Sequence, residues 1–119
     1  MNVTIETSIG EFFDKVTILE IKKERIQQAD KLANIKKELD ALNALLDTLS
    51  FSRADVQDEV AELKGINEKL WVIEDDIREK EAAKAFDQDF IELARSVYFT
   101  NDRRSDVKRA INLKPVSYT

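Results

Sequence analysis

Apolar residues recur along the chain at the three- and four-residue steps of an α-helix, and four stretches carry that pattern. The first opens at Ser8-Ile9-Gly10-Glu11, where Ser8 and Glu11 have the spacing of a capping box, and it runs to about Gln28. Its apolar residues, Phe12, Phe13, Val16, Ile18, Leu19, Ile21 and Ile26, cover more than one face, which places this helix at the centre of the fold or against a partner. The second stretch has Asp30 as a candidate N-cap. It steps through Leu32, Ile35, Leu39, Leu42, Leu46 and Leu49 at alternating threes and fours, a heptad seam with Lys36, Lys37, Glu38 and Asp40 beside it. Ser50-Phe51-Ser52 makes a short turn, and Ser52-Arg53-Ala54-Asp55 carries a second capping signal.

The third helix is expected from about Arg53 to Lys84, with a seam of Leu63, Ile66, Leu70, Ile73 and Ile77. Two seams joined by a tight turn predict an antiparallel helical hairpin. Gly65, inside this pattern, marks a candidate kink or close crossing. Phe86 before Asp87, with Ile91 beyond, has the form of a hydrophobic staple opening a fourth helix that runs to about Asn112, short of Pro115. Outside the helices, Val3 and Ile5 alternate with polar residues as a short strand would, and Leu113, Val116 and Tyr118 are candidates to pair with it. The expected fold class is therefore all-α: an antiparallel hairpin or bundle of about four helices with a candidate N-terminal strand. We expect one domain over residues 1–119, with 1–7 and 114–119 peripheral.

Composition narrows the chemistry more than the fold. The chain has 119 residues with Gly 2 and Pro 1, too few turn residues for a β-sandwich or barrel. Cys 0 and His 0 exclude disulfides, thiolate nucleophiles, Ser-His-Asp triads and the usual transition-metal ligands. Lack of cysteine fits a reducing cytoplasm, and no apolar run is long enough to span a membrane. The net charge of −5 is uneven: residues 61–92 hold ten acids and five bases, whereas residues 93–119 hold two acids and six bases. Pairing of the acidic middle with the basic end inside the fold accounts for this better than nucleic-acid binding, because no recognition motif accompanies the bases.

Candidate sites are polar residues that fall where the periodicity expects apolar ones, because burying a polar group costs energy unless it is paired. Asn67, Trp71, Glu74 and Arg78 form one stripe on the third helix. Glu74, Asp75 and Glu79 are candidates for holding a hard cation such as Mg²⁺, which accepts all-oxygen ligands; a solvated charged face explains the same run. On the fourth helix, Thr100 and Arg104 interrupt a face of Leu93, Val97, Val107 and Ile111, with Asn101 and Tyr98 nearby. An arginine on a core-facing stripe stays charged and requires a carboxylate partner or an anionic ligand. Glu74 and Glu20 are the candidate internal partners. Glu20 interrupts the first helix, where Lys22 lies on another stripe.

The stretches Asp14–Lys22, Leu70–Arg78, Ala94–Tyr98 and Asn101–Arg104 resemble a family of short uncharacterised helical proteins of bacteria and tailed phages, over about Ser8 to Leu113. The resemblance implies an all-helical fold and carries with it no activity, substrate or catalytic residue. Two functions follow from the residues. The preferred one is a cytoplasmic helical interaction or structural protein, an oligomer and most simply a dimer, with no cofactor. The alternative is an enzyme or binder of a phosphate- or carboxylate-bearing small molecule, with or without Mg²⁺. Its pocket would gather Glu20, Glu74, Arg78, Asn101 and Arg104 between Trp71 and Tyr98.

Overall fold

The computed structural model describes residues 1, 3, 5–49 and 52–114. The fold is all-α, with four helices: α1 (Ile9–Arg25), α2 (Ala29–Asp47), α3 (Gln57–Ala82) and α4 (Gln88–Leu113), and a 3₁₀ turn, Arg53–Val56, ahead of α3. Among the described residues there is no strand; Val3 and Ile5 are exposed, so the expected N-terminal strand is not formed there. Its candidate partners Val116 and Tyr118 lie outside the described residues.

Capping follows the sequence in part. Ser8 accepts a hydrogen bond from the Glu11 amide at 3.2 Å, but the Glu11 carboxylate turns to Lys108 on α4, 2.6 Å away. Helix α1 stops at Arg25 rather than Gln28 because Ile26 takes an extended conformation and packs onto the core. Gln28 then stands at the N-cap of α2, so Asp30 sits inside the first turn, where its charge favours the helix dipole without capping it. At Ser52 the amide donates to the Asp55 carboxylate at 2.9 Å, as the capping signal requires, and this closes the 3₁₀ turn. Asp87 caps α4 by accepting from the Phe90 amide at 3.0 Å. The staple differs from expectation: Phe86 packs edge-on against Phe90, with ring centroids 5.2 Å apart, and both Phe86 and Ile91 are exposed. Asn101 and Asp102 remain within α4.

The second and third helices do not pair as the seams suggested. Helix α1 packs against each of α2, α3 and α4, and the remaining extended pairing is α3 with α4. The cause is the apolar girth of α1. Phe12, Phe13, Val16, Leu19 and Ile21 are all buried, and a helix apolar around so much of its surface needs neighbours on several sides. Ile35 and Leu39 from α2 join Val60 and Leu63 from α3 and Val107 and Ile111 from α4 in one core around it.

The fold is elongated. Its extents are 55 × 34 × 27 Å and its radius of gyration is 16.7 Å, against about 13.5 Å for a compact chain of this length. Helix α1 has 17 residues, about 25 Å, whereas α3 and α4 have 26 each, about 39 Å. The distal part of the α3–α4 hairpin therefore extends past the core as an arm.

Of the two glycines, Gly10 is the one the packing requires. A Cβ there would meet the backbone oxygen of Lys108 at 2.5 Å and Oδ1 of Asn112 at 2.9 Å. This close crossing lets the Gly10 amide, one of the unpaired donors at the start of α1, donate to Asn112 Oδ1 at 2.7 Å. Gly65 is exposed, with nothing within 4 Å of the place a Cβ would take, so no close crossing explains it. Gly10→Ala is expected to destabilise the fold by about 2 kcal/mol through overpacking against backbone. Gly65→Ala is expected to stabilise it by up to about 1 kcal/mol through helix propensity. Urea titrations of the two variants beside the wild type check both signs.

Candidate functional site

Among the described residues the buried charged side chain is that of Asp14, on α1, which is 4% exposed. Three helices converge on its carboxylate. From α4, Arg104 donates through Nε to Oδ1 at 2.9 Å and through its terminal nitrogen to Oδ2, a bidentate pair. From α3, Asn67 donates through Nδ2 to Oδ1 at 3.0 Å. Lys108 adds positive charge at 3.9 Å. Asn67 Nδ2 also donates to the Thr17 hydroxyl at 3.1 Å, and that hydroxyl donates to the Asp14 backbone oxygen at 2.9 Å. Burial pushes the Asp14 carboxyl up. The hydrogen bonds from Arg104 and then Asn67, with the charges of Arg104 and Lys108, outweigh this and hold it below the usual carboxylate range. The same pair holds the Arg104 guanidinium above its ordinary value.

Beside this node lies a cleft of about 170 Å³ between α1, α3 and α4. Ile18, Ile21, Leu70 and Trp71 give it an apolar lining, and Lys22, Asn67, Glu74 and Arg104 supply its polar groups. Four of the expected site residues, Asn67, Trp71, Glu74 and Arg104, thus meet in one place. Asn101 stands at the edge of the node, accepting from Arg104 at 3.4 Å.

The other expected residues lie elsewhere. Glu20 is held by Arg53 through two hydrogen bonds of 3.0 and 3.1 Å, so it is not the partner of Arg104. Glu74 reaches Arg104 only as a nearby charge. Arg78 pairs with Asp75 on the exposed side of α3, and Tyr98 is 67% exposed, stacked edge-on against Phe99 rather than walling the cleft. Glu79 lines a separate shallow hollow with Asp76 and Lys80. Glu74, Asp75 and Glu79 do not converge: among the described residues no three carboxylates come together in a way that could hold a metal ion. Successive residues of a helix point in different directions, and an i, i+3 base captures Asp75 first.

A family of unknown function, DUF6165, matches the chain over residues 1–119. The chain belongs to that family. No curated protein and no solved structure matches it. The match reaches both ends, beyond the Ser8-to-Leu113 span of the resembling stretches. Those stretches supply much of the cleft of this family member: Ile18, Ile21 and Lys22 from one, Leu70, Trp71 and Glu74 from another, and Arg104 from a third.

Asp14 is the central residue that the interrupted apolar faces do not reveal. It lies inside the apolar belt of α1, between Phe13 and Val16, but beside Lys15 and one turn from Glu11, so an acidic residue there reads as part of the charged first turns. Its position at the head of the resembling stretch is the available signal. Removing one partner of a buried pair leaves the other charged and unpaired, so Asp14→Asn and Arg104→Met are each expected to cost about 3 kcal/mol at neutral pH. The Asp14 carboxyl titrates lower folded than unfolded, where its value is about 3.9. Its contribution is therefore complete above the unfolded value and lost as pH falls through the folded one. Urea denaturation across this acid range is expected to show a shallower loss of stability in Asp14→Asn than in the wild type.

Proposed function

We propose that the protein is a helical interaction protein that associates with a second copy of itself through the α3–α4 arm. One observation carries this reading: from Glu74 to Phe99 not one residue is buried, although the segment is rich in large apolar side chains. Phe86, Ile91, Tyr98 and Phe99 are each 47–67% exposed. Large apolar side chains exposed in this number on one arm favour association in a soluble protein. Three aromatic rings at this exposure offer on the order of 300 Å². That suits the apolar centre of an interface burying about 800 Å² per partner.

Charge favours a second copy over a foreign partner. The arm from residue 74 to residue 92 holds eight acids and three bases. Nearer its root, Ile91, Arg95, Tyr98, Asp102 and Arg109 follow one helical stripe of α4. Arg95 lies 5.9 Å from the centroid of the Phe99 ring and Arg109 has no ion-pair partner among the described residues. Two arms packed antiparallel about a two-fold axis bring the acidic tip of each to the basic root of the other. Lack of cysteine supports placing the dimer in a reducing cytoplasm, and the resembling family supports a bacterial cell or a phage-infected host. Among the described residues no helix is long and apolar enough to cross a membrane.

Light scattering coupled to size exclusion tests the reading at up to about 100 μM, well above a micromolar Kd. The wild type is expected at twice its 13.7 kDa chain mass. The double variant Ile91→Glu, Tyr98→Glu is expected at the chain mass with unchanged helical circular dichroism, because both side chains are exposed in the single chain. A monomeric wild type, or a double variant that stays dimeric, would overturn the proposal.

A further inference from the structure

The cleft beside Asp14 holds polar groups that the fold itself leaves unused. Asn67 is 6% exposed, and its amide nitrogen is committed to Asp14 and Thr17. Those two bonds fix which end of the amide is which, since a carboxylate oxygen can only accept. The amide oxygen of Asn67 is left without a partner among the described residues, at the wall of the cleft. That oxygen is not sealed from solvent, and on a residue that lines the cleft it is free to accept a hydrogen bond from a ligand. Lys22, Glu74 and Trp71 line the same cleft, and the ammonium, carboxylate and indole N–H that they carry have no hydrogen-bond or ion-pair partner among the described residues either. The unused set is therefore one cation and one neutral donor with one anion and one neutral acceptor, around Ile18, Ile21, Leu70 and Trp71.

This set discriminates between ligand classes. A phosphate or nucleotide is disfavoured: the Arg104 fork is already spent on Asp14, Lys22 is the remaining cation, and Glu74 repels a dianion. The volume of about 170 Å³ suits a compact apolar group, since a cavity of about 150 Å³ accepts benzene. A zwitterion with one compact apolar group satisfies every unused group at once. We propose that the cleft binds a free α-amino acid with a branched or single-ring side chain. Its ammonium is held by Glu74 and the Asn67 amide oxygen, its carboxylate by Lys22 and the Trp71 indole, and its side chain by the apolar lining. This inference is independent of dimerisation through the arm.

Trp71 is the chain's one tryptophan, so its fluorescence reports on the cleft directly. Titrations with leucine, phenylalanine, N-acetyl-leucine (carboxylate only) and leucine amide (ammonium only) separate the charge requirements with the side chain held constant. Leucine or phenylalanine is expected to shift the emission saturably, and each blocked form of leucine to bind about tenfold or more weakly than leucine. Lys22→Gln and Glu74→Gln, at positions free of internal ion pairs, are each expected to weaken the zwitterion by about tenfold while leaving the fold intact. Lys22→Gln should leave leucine amide unaffected, and Glu74→Gln should leave N-acetyl-leucine unaffected. No emission change with any probe, N-acetyl-leucine binding as well as leucine, or both variants binding leucine like the wild type would each overturn the proposal.

Discussion

A single buried carboxylate sets the register of the molecule. Apolar seams such as Ile35–Leu39 or Val60–Leu63 hold helices together without saying where along their length they must meet, since a shift by one turn brings equivalent side chains into contact. Asp14 removes that freedom. Its two oxygens accept a planar fork from Arg104 and an amide from Asn67, and neither bond survives a slip of one turn. Because Asp14 is on α1, the helix that touches all the others, fixing it relative to α3 and α4 fixes the core around it. The Gly10 crossing lies one turn away on the same face and depends on the same register, for only there does the Asn112 side chain reach an otherwise unpaired amide.

The fold is legible in the sequence to the extent that it depends on periodicity and local chemistry. The four helices, the Ser8, Ser52 and Asp87 caps and the central place of the first helix all follow from short-range patterns, and short-range patterns can be read from one chain. Which helix lies against which is a long-range matter, and there the seams mislead: those of α2 and α3 are equally satisfied by each other or by α1. The demand of α1 for neighbours on several sides decides it. Site residues divide in the same way. Asn67, Trp71, Glu74 and Arg104 are visible because they break an apolar stripe that faces the core. Glu20 and Arg78 break stripes too, but Arg53 and Asp75 lie within reach and neutralise them at the surface. Asp14 is hidden because an acid in the early turns of a helix is commonplace until the arginine ninety positions away is placed against it.

The node and the cleft share their residues in a way that separates two kinds of work. Arg104 and the amide nitrogen of Asn67 face inward to hold Asp14, whereas the Asn67 oxygen, Lys22, Glu74 and Trp71 are left over for something else. A group can thus be oriented by its structural bonds and still offer an unspent atom, and the rigidity of the node is lent to the cleft wall. A pocket preorganised in this way loses little conformational entropy when it fills.

The arm carries a further consequence. Residues 74–99 form a two-helix segment without a buried side chain, joined to a block whose centre is fully enclosed. Opening free energy in a protein follows the apolar contacts that must be broken, so it is graded along the long axis here, near its global value around Phe13 and low towards Phe86. Amide hydrogens on the distal turns of α3 and α4 are therefore expected to exchange through local opening that leaves the block untouched. The molecule is a rigid body with a soft end, and whatever seats on that end deepens its protection by the free energy of association.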